Sequence, residues 1–299
     1  MLLRLPSSVR RGLAGALALG ATACVRPPPS PPAPRRAAAP VEARAPRWAL
    51  VHATVLDLRD GSAHADQTVV VEGETIAAVG PFAAVSTEGA ARVLDVGGAF
   101  VMPGLWDMHV HLNDAYALRL FIATGVTGVR VMWGNPPPFD PAERRPPLHS
   151  SMRSAIAAGK LAGPRLVIAS SLLDGPTSFW LGATKVGSAD EARRAVDEAA
   201  RAGADFVKVY SALPREAFFA IAEASNARGL PFAGHVPDAV TAAEASDAGQ
   251  RSIEHAFGLS LACSSREAEL RARPVPSGYG LPFARAKLKE EAEARASYD

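Results

Sequence analysis

The sequence predicts an α/β fold, in which a parallel sheet covered by helices follows a segment rich in β-strands. After Met102, apolar runs of roughly four to six residues alternate with helical stretches. The apolar runs are continuous, which is typical of strands buried on both faces of a parallel sheet. The helical stretches end at glycines such as Gly125, Gly203 and Gly229, shortly before the next run begins. These features together indicate repeated β-α units.

The charge of the chain is unevenly distributed. The 299 residues carry a formal net charge of +2, but residues 1–47 contain eight Arg and one Glu. The remainder holds 24 basic and 29 acidic residues, a net charge of −5. Because no basic surface of any size remains to hold a polyanion, the composition argues against nucleic-acid binding.

Residues 1–24 predict an export signal with a basic start, an apolar stretch too short to span a bilayer, and small residues before Cys24. The ending ATAC resembles a bacterial lipoprotein signal, in which Cys24 would be lipidated. Plain cleavage, a twin-arginine signal and a buried apolar helix are the alternatives. Residues 25–47, rich in Pro, Ala and Arg, predict an extended linker. We therefore expect an exported protein, held at a membrane by an N-terminal lipid or free in the periplasm or outside the cell.

Residues 48–101 predict a β-sandwich segment, since β-branched stretches alternate there with turn signals. Residues 102–299 contain six apolar runs, which read LWDMHVHL, GVTGVRVM, PRLVIAS, DFVKVY, PFAGHV and RSIEH. A closed (β/α)8 barrel needs eight strands. The sequence thus predicts an incomplete TIM-like barrel, in which six strands are visible and the seventh and eighth are absent.

Two histidines end the first of these runs. Because side chains alternate along a strand, Asp107, His109 and His111 share one face at its C-terminal end. In α/β barrels that end carries the active site. Taken alone, the pair favours one buried, hydrogen-bonded histidine beside an exposed one.

Lys208, His235 and His255, which lie further along the chain, change this interpretation. His235 and His255 lie at the ends of the fifth and sixth runs, and Lys208 lies inside the fourth. A lysine within an apolar strand is costly to bury unless it is paired, neutralised or chemically changed. A carbamate, formed by its neutral amine with carbon dioxide, could bridge two cations. Four imidazoles and such a lysine are ligands that borderline divalent metals prefer.

From Trp48 to about Gly258 the chain resembles the amidohydrolase superfamily, in particular its imidazolonepropionase-like and Xaa-Pro dipeptidase-like branch. The resemblance rests on the β segment, the motif PGLWDMHVH on strand 1, the lysine on strand 4 and the histidines on strands 5 and 6.

It implies a site with two divalent metal ions, for which we expect Zn²⁺. His109 and His111 would bind the more buried ion, and His235 and His255 would bind the second ion. A carboxylated Lys208 would bridge the two ions.

The resemblance further implies hydrolysis of a carbon–nitrogen bond in a small amide, dipeptide or cyclic amide by a metal-activated water. Tyr210 shares the inward face of its strand with Lys208, so it either hydrogen-bonds the developing oxyanion or serves in packing. Trp133, Phe179 and Trp180 lie in loops after strands. They are candidate walls of a substrate pocket, with loop packing as the alternative.

The chain departs from the family towards its C-terminus. The family's strand 8 carries an aspartate that binds the first metal and acts as the base, whereas the only aspartate after His255 is Asp299. We therefore expect a C-terminally truncated member with weak or no hydrolysis. A non-catalytic remnant, or a metal-binding surface lipoprotein, is one alternative, and a mononuclear deaminase-like site is another. We expect His52, His64 and His149 to be surface residues.

Overall fold

The computed structural model describes residues 46–134, 148–273 and 281–298. The predicted export signal, its lipidation site Cys24 and the linker up to residue 45 lie outside these ranges. Within them, no helix is both long enough and apolar enough to span a membrane. The described chain divides into two compact units. The first contains 46–54 and 64–99, and the second contains 55–63 and the residues from 100 onward.

The first unit is built on a mixed β-sheet with the strand order β3-β2-β1-β4. Its strands are β1 (Arg47–Leu56), β2 (Ala63–Glu72), β3 (Thr75–Pro81) and β4 (Arg92–Asp95). Strands β2 and β3 pair antiparallel, whereas β1 and β4 pair parallel. The predicted β character is confirmed, and the described residues of this unit form one sheet.

The second unit contains a parallel sheet with the order β11-β10-β8-β7-β6. After the short strand β5 (Phe100–Val101), its strands are β6 (Leu105–Val110), β7 (Val126–Val131), β8 (Arg165–Asp174), the two-residue β9 (Thr184–Lys185) beside β8, β10 (Phe206–Val209) and β11 (Phe232–Gly234). The helices are α1 (Tyr116–Ala123), α2 (Leu148–Ala157), α3 (Ala189–Arg201), α4 (Arg215–Arg228), α5 (Ala242–Asp247), α6 (Leu259–Ala262), α7 (Glu267–Arg271) and α8 (Leu281–Arg295). This is the predicted incomplete TIM-like barrel.

The sixth apolar run adds only one residue to this sheet. Ile253 forms a single parallel bridge with Gly234, and the chain then turns through a short 3-10 helix, Glu254–Ala256. His255 and Ala256 both adopt positive φ angles, 59° and 53°, which end the extended conformation. His255 therefore projects from a turn and not from a strand.

One hydrophobic cluster holds α3 and α4 against β10 and β11. On α3, Ala192, Ala195, Val196 and Ala199 lie at helical spacing on one face and are buried. On α4, Phe218 is fully buried, and its ring meets that of Phe232 in β11 edge-on at 5.9 Å. This packing fixes the two strands that lead into Lys208 and His235.

We expect Phe218→Ala to lower the free energy of unfolding by about 3–5 kcal/mol, because it leaves a cavity under β11. The exposed Glu223, on the same helix, provides the control: Glu223→Ala should change it by less than about 0.5 kcal/mol. Denaturant unfolding measures both values. Equal effects of the two substitutions would contradict the packing described here.

Candidate active site

A cavity of about 630 Å³ opens at the C-terminal ends of the parallel strands. Its lining includes all five candidate ligands, Tyr210, Trp133 and Trp180. Phe179 is not among the lining residues; it is 44% exposed, and its ring packs on Trp180 at 4.5 Å. Eight of the residues singled out from the sequence thus meet around one space, and Phe179 packs against one of them, Trp180.

The imidazole rings are spaced as ligands of shared ions would be. Ring centroids are 5.3 Å apart for His109 and His111, and 4.5 Å apart for His109 and His255. Two imidazoles on one tetrahedral zinc, each at a Zn–N distance of about 2.0–2.1 Å, place their centroids roughly 5 Å apart. Across residues 46–134, 148–273 and 281–298, however, no three His, Cys, Asp or Glu side chains form a complete metal-ligand set. The pairwise ring distances thus match those of two zinc-bound imidazoles, but the described side chains do not converge in a group of three on one position.

The candidate ligands differ in exposure. Lys208 and His235 are buried, His109 is half-buried, and His111 and His255 are exposed. The resemblance places the more buried ion on His109 and His111, whereas the structure buries Lys208 and His235 most deeply. The position of Lys208 in the sheet explains its burial, since β10 lies between β8 and β11, whereas β6 lies at the edge of the described sheet.

Close approach of two strands positions His235. Gly234 has φ +145°, and a Cβ there would lie 2.0 Å from the carbonyl oxygen of Val209. The His235 amide donates to that same oxygen at 3.1 Å. Its Nδ1 pairs with the Ser211 hydroxyl at 2.7 Å, so Nε2 is the ring nitrogen left for a ligand role.

Lys208 is 1% exposed, between Leu172 of β8 and Ala233 of β11. Burial lowers the pKa of its amine to about 8; Glu254 opposes this shift and Arg130 adds to it. Nζ lies 5.8 Å from the centre of the Tyr210 ring. None of the described residues accepts a hydrogen bond from Nζ, so the attraction of Glu254 offsets the desolvation only in part and the amine is partly neutral near pH 8.

The neighbouring imidazoles are held neutral. Burial, followed by the positive charge of Lys208, lowers the pKa of His235 to about 3. Desolvation is also the main cause that lowers the pKa values of His111 and His255, and Lys208 contributes in both cases. At neutral pH these three rings therefore offer lone pairs, which is the state that binds a metal.

Glu254 and Arg130 belong to this region, and the sequence reasoning missed both. Glu254 is 7% exposed; it contacts His109 Nδ1 at 2.6 Å and the Ser252 hydroxyl at 2.7 Å, and it pairs with Arg130. Burial raises the pKa of this carboxyl, but the hydrogen bonds from Ser252 and His109 and the charge of Arg130 outweigh burial and lower it overall. Lys208 was singled out because it is a charged residue inside an apolar run. The same signal was present for Arg130 in GVRVM and for Glu254 in RSIEH.

The prediction that His149 is a surface residue is wrong. Its ring is 2% exposed and lines the cavity, and Nε2 lies 2.7 Å from the Leu112 carbonyl oxygen. Burial lowers the pKa of His149, and the hydrogen bond to the Leu112 carbonyl, which by itself raises the pKa, offsets this effect only in part. The sequence placed His149 in a Pro-rich loop, whereas it belongs to the first turn of α2. His64 is exposed and His52 is half-buried, both in the first unit.

A continuous row of aromatic rings forms one wall of the cavity. Tyr210 stacks on His235 at 4.0 Å, and Trp180 meets Tyr210 edge-on at 6.2 Å. Trp133 meets Trp180 at 5.5 Å and His111 at 6.4 Å, both edge-on. The wall thus runs from one candidate ligand to another and presents apolar surface to whatever occupies the cavity.

Comparisons with known proteins address the fold. No protein-family model and no curated protein sequence matches the chain. Among solved structures, a bottromycin amidohydrolase matches with a TM-score of 0.62 at 23% identity, over 84% of this chain and 48% of that one. A putative prolidase from Bifidobacterium longum matches with a TM-score of 0.61 at 20% identity, over 85% of this chain and 69% of that one. A Xaa-Pro dipeptidase with bound methionine in its active site matches with a TM-score of 0.61 at 18% identity, over 83% of this chain and 74% of that one.

The chain shares its fold with these hydrolases. The resemblance to the amidohydrolase superfamily is thereby confirmed at the level of the fold. The chain spans about half the length of the bottromycin amidohydrolase and about 70% of the prolidase.

The pKa of His235 predicts a pH dependence of stability in chelator-treated protein. Its folded pKa, about 3, lies below the unfolded value of about 6.5, so its contribution is complete above pH 6.5 and is lost as the pH falls towards 3. Between pH 6 and 4, His235→Asn should make the slope of unfolding free energy against pH shallower by up to about 1.4 kcal/mol per unit. Denaturant unfolding across this range measures the slopes, and equal slopes would exclude a neutral buried His235.

Proposed function

We propose that this chain is a metal-dependent hydrolase that cleaves carbon–nitrogen bonds in small amides, dipeptides or cyclic amides. One observation carries the proposal: four imidazoles and a buried lysine surround one cavity at the C-terminal ends of the parallel strands. Active sites of α/β barrels lie at this end. The fold shared with amidohydrolases and prolidases supports the same reaction class.

The donor set suits two divalent ions. His109 and His111 would hold one ion and His235 and His255 the other, because imidazoles at this spacing are ligands of Zn²⁺. Bound there, the ions would supply polarisation of the scissile carbonyl and acidification of water.

Lys208 would bridge the two ions as a carbamate. The ammonium would first release a proton, and the neutral amine would then form a bond to the carbon of carbon dioxide and release a second proton. A buried cation would thus become an anion. This change removes the charge that burial disfavours and places a negative group among metal ions. Lys208 lines the same cavity as the four histidines, which supports a binuclear site over a mononuclear deaminase-like one.

The remaining lining residues would bind and orient the substrate. Trp133 and Trp180 would cover its apolar part and exclude water. Tyr210 is fixed by stacking on His235, so its hydroxyl would donate to the oxygen that becomes negative during attack.

A second candidate function is metal binding without hydrolysis. None of the described residues that line the cavity is acidic, so no carboxylate there would accept the proton of the attacking water. Glu254 does not fill this role, since its oxygens are engaged by His109, Ser252 and Arg130. This observation favours a metal-binding protein, tethered through Cys24 or released after export, as the signal-like residues 1–24 suggest.

To test the proposal, the full chain is loaded with Zn²⁺ in bicarbonate buffer. It is then assayed for hydrolysis of a panel of dipeptides and N-acyl amino acids. We expect release of free amine, detected by mass spectrometry, and about two ions per chain. Lys208→Ala should lower the metal count and reduce the rate at least about 100-fold, since metal activation supplies several kcal/mol. Lys185→Ala, at an exposed lysine of β9, is the matched control and should leave both values unchanged.

Three outcomes separate the candidates. Two ions with hydrolysis that depends on Lys208 support the hydrolase. About two ions without hydrolysis on any substrate support the metal-binding protein. A metal count of zero in the wild-type chain would overturn both.

A further inference from the structure

A buried carboxylate joins the two edges of the parallel sheet. In the described residues, β6 forms one edge and the Ile253 bridge forms the other. Glu254 follows Ile253 directly, and its Oε2 accepts from Nδ1 of His109, on β6, at 2.6 Å. The two residues are 145 positions apart in the chain. This contact therefore spans the interior of the open barrel.

Arg130 completes the connection from β7. Its Nε donates to the Met108 carbonyl oxygen at 2.7 Å, and its Nη1 donates to the Ser252 hydroxyl at 3.0 Å. Its Nη2 donates to Oε1 of Glu254, which also accepts from Ser252 at 2.7 Å. The guanidinium thus binds the backbone of β6 and the 252–254 segment at the same time.

Both carboxylate oxygens of Glu254 are occupied by protein donors. A carboxylate in this state accepts hydrogen bonds only, so the proton of the His109 ring lies on Nδ1. The lone pair then lies on Nε2, the opposite ring nitrogen. Glu254 also begins the turn in which His255 takes φ 59°, and this turn brings the His255 ring to 4.5 Å from that of His109.

We propose that Glu254 is a positioning residue, which sets the His109 tautomer and, through the turn it anchors, the place of His255. Arg130 and Ser252 hold the carboxylate for this role. The inference rests on the proposed function, because it concerns how two candidate ligands are prepared for a metal ion. Outer hydrogen bonds of this kind are worth about 10–100-fold in metal affinity.

The test uses the tautomer of His109 in metal-free protein, read from ¹⁵N–¹H spectra of the imidazole. In the wild-type chain we expect the proton on Nδ1. In Glu254→Gln the side-chain oxygen should face Arg130 and the amide nitrogen should face His109. Since that nitrogen donates, Nδ1 must accept, and the proton moves to Nε2, where a metal would bind.

The same variant should weaken Zn²⁺ binding by about 10–100-fold in calorimetric titration. Glu290→Gln is the matched control, since Glu290 is a buried carboxylate on α8 that pairs with Lys287 and does not line this cavity. It should change neither the tautomer nor the affinity.

Two results would overturn the inference. The first is a wild-type His109 that carries its proton on Nε2, and this measurement needs no variant to fold. The second is a folded Glu254→Gln chain with the wild-type tautomer and affinity. Failure of the proposed function would look different: the wild-type chain would bind no metal while its His109 tautomer remained as expected.

Discussion

The burial of the Lys208 amine is the constraint on which the chemistry of the site depends. β10 is the inner strand between β8 and β11, so the side chain cannot reach solvent by moving to an edge. Its Nζ finds no hydrogen-bond acceptor among the described residues, and its pKa falls to about 8. The amine is still mostly charged at neutral pH, but burial makes its neutral or modified form far more accessible than in water. The same cation helps to keep His111, His235 and His255 neutral, which prepares them as ligands.

Hydrophobic packing and a hydrogen-bonded ion pair together keep this arrangement in place. Behind the sheet, α3 and α4 bury apolar side chains against β10 and β11, which leaves the strands little freedom to shift. Inside the sheet, the Glu254–Arg130 pair links β6 and β7 to the segment that carries His255. The hydrophobic packing is non-directional and sets the positions of the strands. The hydrogen-bonded ion pair is directional and sets the orientation of the imidazole rings. A site that needs several imidazoles at fixed angles depends on both.

Much of the site could be predicted because strand geometry is regular. The alternation of side chains placed His109 and His111 on one face, and the position of Lys208 inside an apolar run indicated an unusual amine. The contacts of Glu254 with Arg130 and His109 join residues 124 and 145 positions apart, and no local pattern specifies such pairing. His149 was misjudged because the Pro-rich sequence before it gave no sign that α2 begins at Leu148 and turns this ring inward. The left-handed turn at His255 and Ala256 likewise has no clear local signal, since a positive φ is uncommon for any residue other than glycine.

The most direct test of a metal centre built on Lys208 is a crystal structure of the full chain grown with Zn²⁺ and bicarbonate, with anomalous data at the zinc edge. The account predicts anomalous peaks in the cavity, about 2.0–2.1 Å from Nε2 atoms of the candidate histidines. It also predicts density for a carboxyl group on Nζ of Lys208, between the peaks. An unmodified Lys208 with zinc bound only elsewhere, for example at the exposed His64, would contradict it.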